Sequence, residues 1–261
     1  MAGLAKTQAF MLGTATVMVG PQSALFDLNE ASHSIGLVKN FALTAEPSYT
    51  DLTQGVKNTI VFSVLTGNPV RASMEAYEFT AKNLAYGLGI DGTAMASYST
   101  ETTVSTAITG NTATPVTAVV VADAAAISVG QYIILRNLSS DDRVSVRKVT
   151  AKTGNTLTVD PGFKTGLNFP VGSRVSAVNV VGVGSKAEQP FLSAKIVGVV
   201  ADGTPMVILI PKLRVQRGFN LNFSTENYGN MPFEFTVYDL VSTDPFYTEF
   251  DGDSARIMSA R

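Results

Sequence analysis

Few residues in this chain have the types and spacing that chemistry requires. The one histidine, His33, sits in SHSIG, so a Ser-His-Asp triad would depend on it alone and a His-rich zinc site cannot form. Cysteine is absent, which excludes disulfides, thiolate metal sites and Cys nucleophiles. The nearest phosphate-loop mimic, GVGSK at Gly182–Lys186, lacks the first glycine at its offset and the GK[ST] order, and reads as a flexible linker. No GxSxG, HExxH or GxGxxG occurs. The acidic clusters SSDD (Ser139–Asp142) and DGD (Asp251–Asp253) lack the further ligands and closing glutamate of a calcium loop, and read as solvated loops. No residue is therefore nominated for catalysis, a cofactor or a metal, and the chain is not expected to be an enzyme.

Composition points toward assembly. Of 261 residues, 45% are hydrophobic and 15% charged. That charged share lies well below the usual ~25% and fits a surface partly covered by partner subunits. A net charge of −2 argues against bulk electrostatic binding of nucleic acid. The most apolar window, VTAVVVADAAAISVGQYIIL, is interrupted by Asp123, Gln131 and a turn near Ser128–Gly130, so no membrane span is expected. The N-terminus lacks the basic start and compact apolar run of a signal peptide.

The elements that would position any site are mostly strands. Residues 1–32, Ala- and Gly-rich with a Gly20–Pro21 break, read as an arm with one or two short strands. Ile35, Leu37, Phe41 and Leu43 alternate, predicting a strand over Ser34–Ala45 that Lys39 interrupts. EPSYTDLTQGVKN, residues 46–58, reads as a loop too long for an ordinary hairpin, hence disordered or committed to a partner. TIVFSVLTG follows as a strand. Met74, Tyr77, Ala81, Leu84 and Leu88 recur at helical spacing, predicting one helix over 73–88. Ser73 is its expected N-cap, Glu78 and Lys82 an i,i+4 pair, and Gly87 and Gly89 its stop.

Residues 91–115 read as a linker or edge strand, after which short strands alternate with SVGQ, SSDD, KTGN and PVGS turns. That spacing suits a small self-contained β-barrel or sandwich. Longer strands return after Gly184, with a hairpin turn at Asp202–Gly203, and MVILIP is apolar on both faces, as in a strand covered on both sides. Val104–Val180 carries seven Lys/Arg and four Asp/Glu, against twelve and seventeen in the flanks. The middle segment is thus +3 and the flanks −5, which predicts an insert at 104–180 in a discontinuous domain of 1–103 and 181–261.

The order of segments resembles the major tail tube proteins of tailed bacteriophages. It is carried by SIGLVKN, the long loop, the next strand, GNPVRASMEAYEFTAKNLAYGLG, then PFLSAKIVGVVADGTPMVILIPKLRV and GFNLNFSTENYGNMPFEFTVYDL. The insert resembles small β-domains that decorate phage virion proteins. The resemblance implies a mainly β fold, two packed β-sheets of sandwich or barrel-like form with one flanking α-helix, plus the projecting insert. It implies hexameric rings stacked into a hollow tube in the virion tail, assembled in the host cytoplasm. Partners would be further copies of the chain, terminator, tape-measure and baseplate or tip proteins, and viral DNA passing through the lumen without specific binding. The ring-stacking loop would be Glu46–Lys57, with Glu46, Tyr49, Asp51, Leu52 and Lys57 in contact. Met74, Tyr77, Leu84 and Leu88 would form the core or intersubunit face of the helix, and residues 245–261 a C-terminal arm. The alternative is a receptor- or carbohydrate-binding β-module of a tail or baseplate, which the lack of tryptophan disfavours.

Overall fold

The computed structural model describes residues 11–56, 58–92, 95, 101–138, 144–184, 189–200, 203–217 and 231–259, with backbone alone for 11–14, 200 and 217. Ser139–Asp142, Ser185–Lys186, Asp202 and the GFNLNFSTENYGN segment lie outside them. The chain divides into two compact units, Met1–Ala94 with Val183–Arg261, and Met95–Gly182. The chain is mainly β, with antiparallel sheets of sandwich or barrel character.

In chain order the first unit begins with β1 (Met11–Pro21), a 3-10 turn (Gln22–Ala24), α1 (Glu30–His33) and β2 (Val38–Ala45). It continues with β3 (Ser48–Gln54), β4 (Thr59–Gly67), β5 (Val70–Ala76) and α2 (Ala81–Gly87). The second unit holds β6 (Thr102–Thr103), β7 (Val116–Val120), β8 (Tyr132–Arg136), β9 (Val144–Thr153), β10 (Thr156–Phe163) and β11 (Arg174–Val178). The chain then returns to the first unit with β12 (Leu192–Val200), β13 (Pro205–Arg217), β14 (Met231–Val237), α3 (Tyr247–Phe250) and β15 (Arg256–Ser259).

In the first unit one sheet runs β1-β12-β13-β14-β5-β2, with β15 also on β13. It rolls until its ends approach: Ile35 N–H donates to Val17 O at 3.0 Å, and Met18 bridges Ser34. The interior collects Val17, Val19, Ala72, Met74, Ile196, Ile210, Phe233 and Phe235, with Tyr86 of α2 among them. On the opposite face of the same strands, Met18, Val197, Val207 and Leu209 are covered by Leu25, Leu28, Leu240 and Phe250. The doubly apolar MVILIP stretch is thus covered on both sides by its own unit. Lys212, buried in β13, donates to Asp244 at 2.6 Å, which fixes the 239–250 segment against that outer face.

In this unit four expectations are corrected. Residues 11–21 are not an arm: Val17 and Val19 point into the core while Met18 points to the other face, so β1 is a strand of the rolled sheet covered on both faces. The single helix over 73–88 does not form. Val70, Ala72, Met74 and Ala76 are buried alternately along β5, and Met74 pairs with Phe233 of β14. The period-two burial of 70–76 outweighs the helical spacing that begins at Met74. The helix starts instead after Thr80, whose Oγ1 accepts from Asn83 N–H at 3.1 Å, and spans Ala81–Gly87. Glu78 lies before it, and its carboxylate accepts from Leu37 N–H at 3.0 Å. Residues 46–58 are not a loop, as described below. The described part of the C-terminal segment is not a free arm either, because β15 pairs with Met206–Leu209 of β13 and Arg256 donates to Glu249 O and Phe250 O.

The second unit has its own sheet, β6-β11-β8-β9-β10-β7. Its ends meet: Ser105 N–H donates to Val120 O and Ala122 N–H to Thr103 O, each at 2.8 Å. Closure removes the exposed edges that a small sheet would otherwise present. Ile133, Leu135, Val149, Leu157, Phe163 and Phe169 fill the interior. This unit begins at Met95 rather than Val104, because Thr102 and Thr103 pair with β11 and belong to its sheet.

Candidate assembly interface

The most unusual surface of the molecule is the segment read as a loop. β3 and β4 pair antiparallel as a two-stranded sheet of their own. Their register continues that of β2 and β5: Ala45 pairs with Val70, and Ser48 with Gly67. Residues 38–76 therefore form one long ribbon, whose base lies in the rolled sheet and whose far half projects as an arm. Seven residues at ~3.3 Å each carry β3 about 23 Å along the arm.

Every described residue of the arm from Ser48 to Thr66 is exposed. Cross-strand pairing sorts its side chains. Leu52 faces Phe62, and Thr50 faces Val64, making one largely apolar face. On the other face Tyr49 lies opposite Leu65, and Asp51 accepts from Ser63 Oγ at 2.5 Å. Ile60 lies opposite Thr53 across a bulge, and Val56 stands fully exposed at the tip. Bulges after Ser48 and after Leu52 strengthen the local twist. Asp51 is the one charged residue among the described positions 48–66.

An isolated two-stranded hairpin is marginal in water, and a long apolar strand pair with open edges is a template for another chain. No arm residue belongs to any of the three hydrophobic clusters among the described residues. The arm's apolar side chains therefore contribute little to folding of the subunit. Their burial is available to a partner.

Of the residues nominated from sequence, Tyr49, Asp51 and Leu52 lie on this arm, and Glu46 lies at its base, where its N–H donates to Pro69 O at 3.1 Å. Lys57 lies outside the described residues. Met74 is in the core of the rolled sheet, and Leu84 packs against that core from α2. Tyr77 lies between β5 and α2, its hydroxyl bonded to Glu75 at 2.9 Å and its ring under Lys39 at 4.8 Å. Leu88 caps α2 and is half-buried. The four come from a strand, a connector and a helix rather than from one helix, and Met74 and Leu84 serve the subunit's own core. Sequence reading took TIVFSVLTG as a strand but nominated none of its residues for assembly; as β4 it supplies the exposed Ile60, Val61, Phe62, Val64 and Leu65. The signal was present: TIVFSVL is apolar at odd and even positions alike, so neither face of that strand is suited to water.

Among the described residues, no group of three or more His, Asp or Glu side chains is placed to hold a metal ion, and no helix is long and apolar enough to cross a membrane. Comparison of the sequence with models of known protein families and with characterised proteins gave no match.

Proposed function

We propose that this chain is a self-assembling structural subunit of a bacteriophage tail tube, forming hexameric rings that stack into the conduit for genome ejection. The observation that carries the reading is the β3–β4 arm, about 23 Å of exposed strand pair with apolar side chains on both faces. A surface apolar on two sides is suited to burial between neighbours, and heterologous contacts repeated by rotation close into rings. The segment order of tail tube proteins supports the same reading, with terminator, tape-measure and baseplate or tip proteins as further partners in the virion. The −5 charge of the flanking segments suits a channel that must pass a polyanion without gripping it.

The test is negative-stain microscopy of the purified chain over a concentration series in low and high salt. Rings or tubes of uniform width are expected. A strictly monomeric species throughout would overturn the reading, as would a monomer that binds liposomes through the arm or scores on a glycan array.

A further inference from the structure

The arm leaves the body through a joint unlike the ladder on either side of it. Between the Ala45–Val70 pair and the Ser48–Gly67 pair, Glu46 N–H donates to Pro69 O. The reciprocal bond cannot form, because Pro69 has no N–H. Pro47, opposite Asn68 in the same register, also lacks an N–H, so the ribbon's outer edge cannot take another strand at that point. Just beyond the joint the ribbon recloses through side chains as well as backbone: Ser48 Oγ donates to Gly67 O and Thr66 Oγ1 to Ser48 O, each at 3.2 Å. On the body side Val70 is buried in the core. A weakened step therefore separates two ordered stretches of one ribbon.

Past that step no described arm residue is buried, so the angle between arm and body is set mainly by the joint. We infer that residues 46–48 and 67–69 form a hinge, about which the arm swings as a unit in the free subunit. Docking of its apolar faces then fixes one angle. The fixing step rests on the proposed assembly, whereas the hinge belongs to the free subunit alone. Such a joint lets an arm search for its site without unfolding, and the ordering cost falls on a few backbone dihedrals.

The chain has no cysteine, so spin labels can be placed cleanly. Pulsed EPR on dilute, unassembled protein would compare an arm–body pair, Val56→Cys with Glu30→Cys, against a body–body pair, Glu30→Cys with Arg71→Cys. The arm–body distance distribution is expected to be several-fold broader. Pro69→Val, which restores the missing donor, is expected to narrow it. An arm–body distribution as narrow as the body–body one would overturn the hinge. So would a width that Pro69→Val leaves unchanged, which would indicate a hairpin melted along its length. In assembled material the arm–body pair is expected to narrow; failure of that step alone would count against assembly and leave the hinge standing.

Discussion

Phe62→Ala separates folding from assembly. Phe62 is 61% exposed and lies opposite Leu52 at the centre of one arm face. A phenylalanine offers about 200 Å² of surface, so roughly 120 Å² remains for a partner to cover. At ~25 cal/mol per Å² complete coverage contributes about 3 kcal/mol, of which truncation to alanine removes about 2. That corresponds to roughly 30-fold weaker association at each contact. The same change should alter subunit stability by no more than about 0.5 kcal/mol, because the side chain belongs to no cluster of the fold. Phe233→Ala makes the contrast: Phe233 is 1% exposed beside Phe235, and its loss is expected to cost about 3–5 kcal/mol. Sedimentation velocity over a concentration series reads association, and thermal melting of dilute protein reads stability. If Phe62→Ala lowers the melting temperature as far as Phe233→Ala does, the arm is part of the core. If it leaves both association and melting unchanged, the arm's apolar face is not an interface.

Three further outcomes are expected. Burial pushes the Asp244 carboxyl up, but hydrogen bonds from Lys212 and the Val241 N–H, with the charge of Lys212, outweigh it and hold it below the ordinary value. Its stabilisation is therefore present above the unfolded value of ~3.9 and is lost as pH falls through the lower folded value. Asp244→Ala, which leaves Lys212 buried without that partner, should cost about 3 kcal/mol at neutral pH and flatten the acid limb of a stability–pH curve. Tyr86 is wholly buried, and burial, with Asp91 adding to it, pushes its hydroxyl well above its ordinary value. Its share of stability is complete below the unfolded value of ~10 and is lost as pH rises toward the folded one, so Tyr86→Phe should soften alkaline unfolding in a pH-dependent denaturation series. Replacing Met95–Gly182 by a short linker should leave the first unit folded by thermal melting, since neither of its hydrophobic clusters contains a residue of that segment.

The strand content was legible because alternation and turn residues are local signals. The second unit was visible in its strand spacing and charge, although its first strand was left open between linker and edge strand, being two threonines in a Ser/Thr-rich stretch. The helix was overextended because Met74 fits two periodicities, and only its pairing opposite Phe233 decides between them. The arm was half legible: Tyr49, Asp51 and Leu52 were nominated, but as a loop, since its polar, Pro- and Gly-punctuated sequence carries a weak strand signal.

By itself the sequence determined a β-rich chain without thiols, with one histidine, and with two strands, TIVFSVL and MVILIP, suited to water on neither face. These follow from residue type and order alone. Tertiary structure decided where each strand goes. MVILIP, equally apolar on both faces, is covered twice over within its own unit, by the rolled core on one side and the 22–28 and 240–250 segments on the other. TIVFSVL is carried past the sheet by a ribbon whose pairing runs on from β2–β5 into β3–β4, and is covered by nothing within the described residues. The physical reason is register. Burial on both faces requires layers on both sides, and pairing with β3 places β4 beyond the end of the sheet, where those layers are absent.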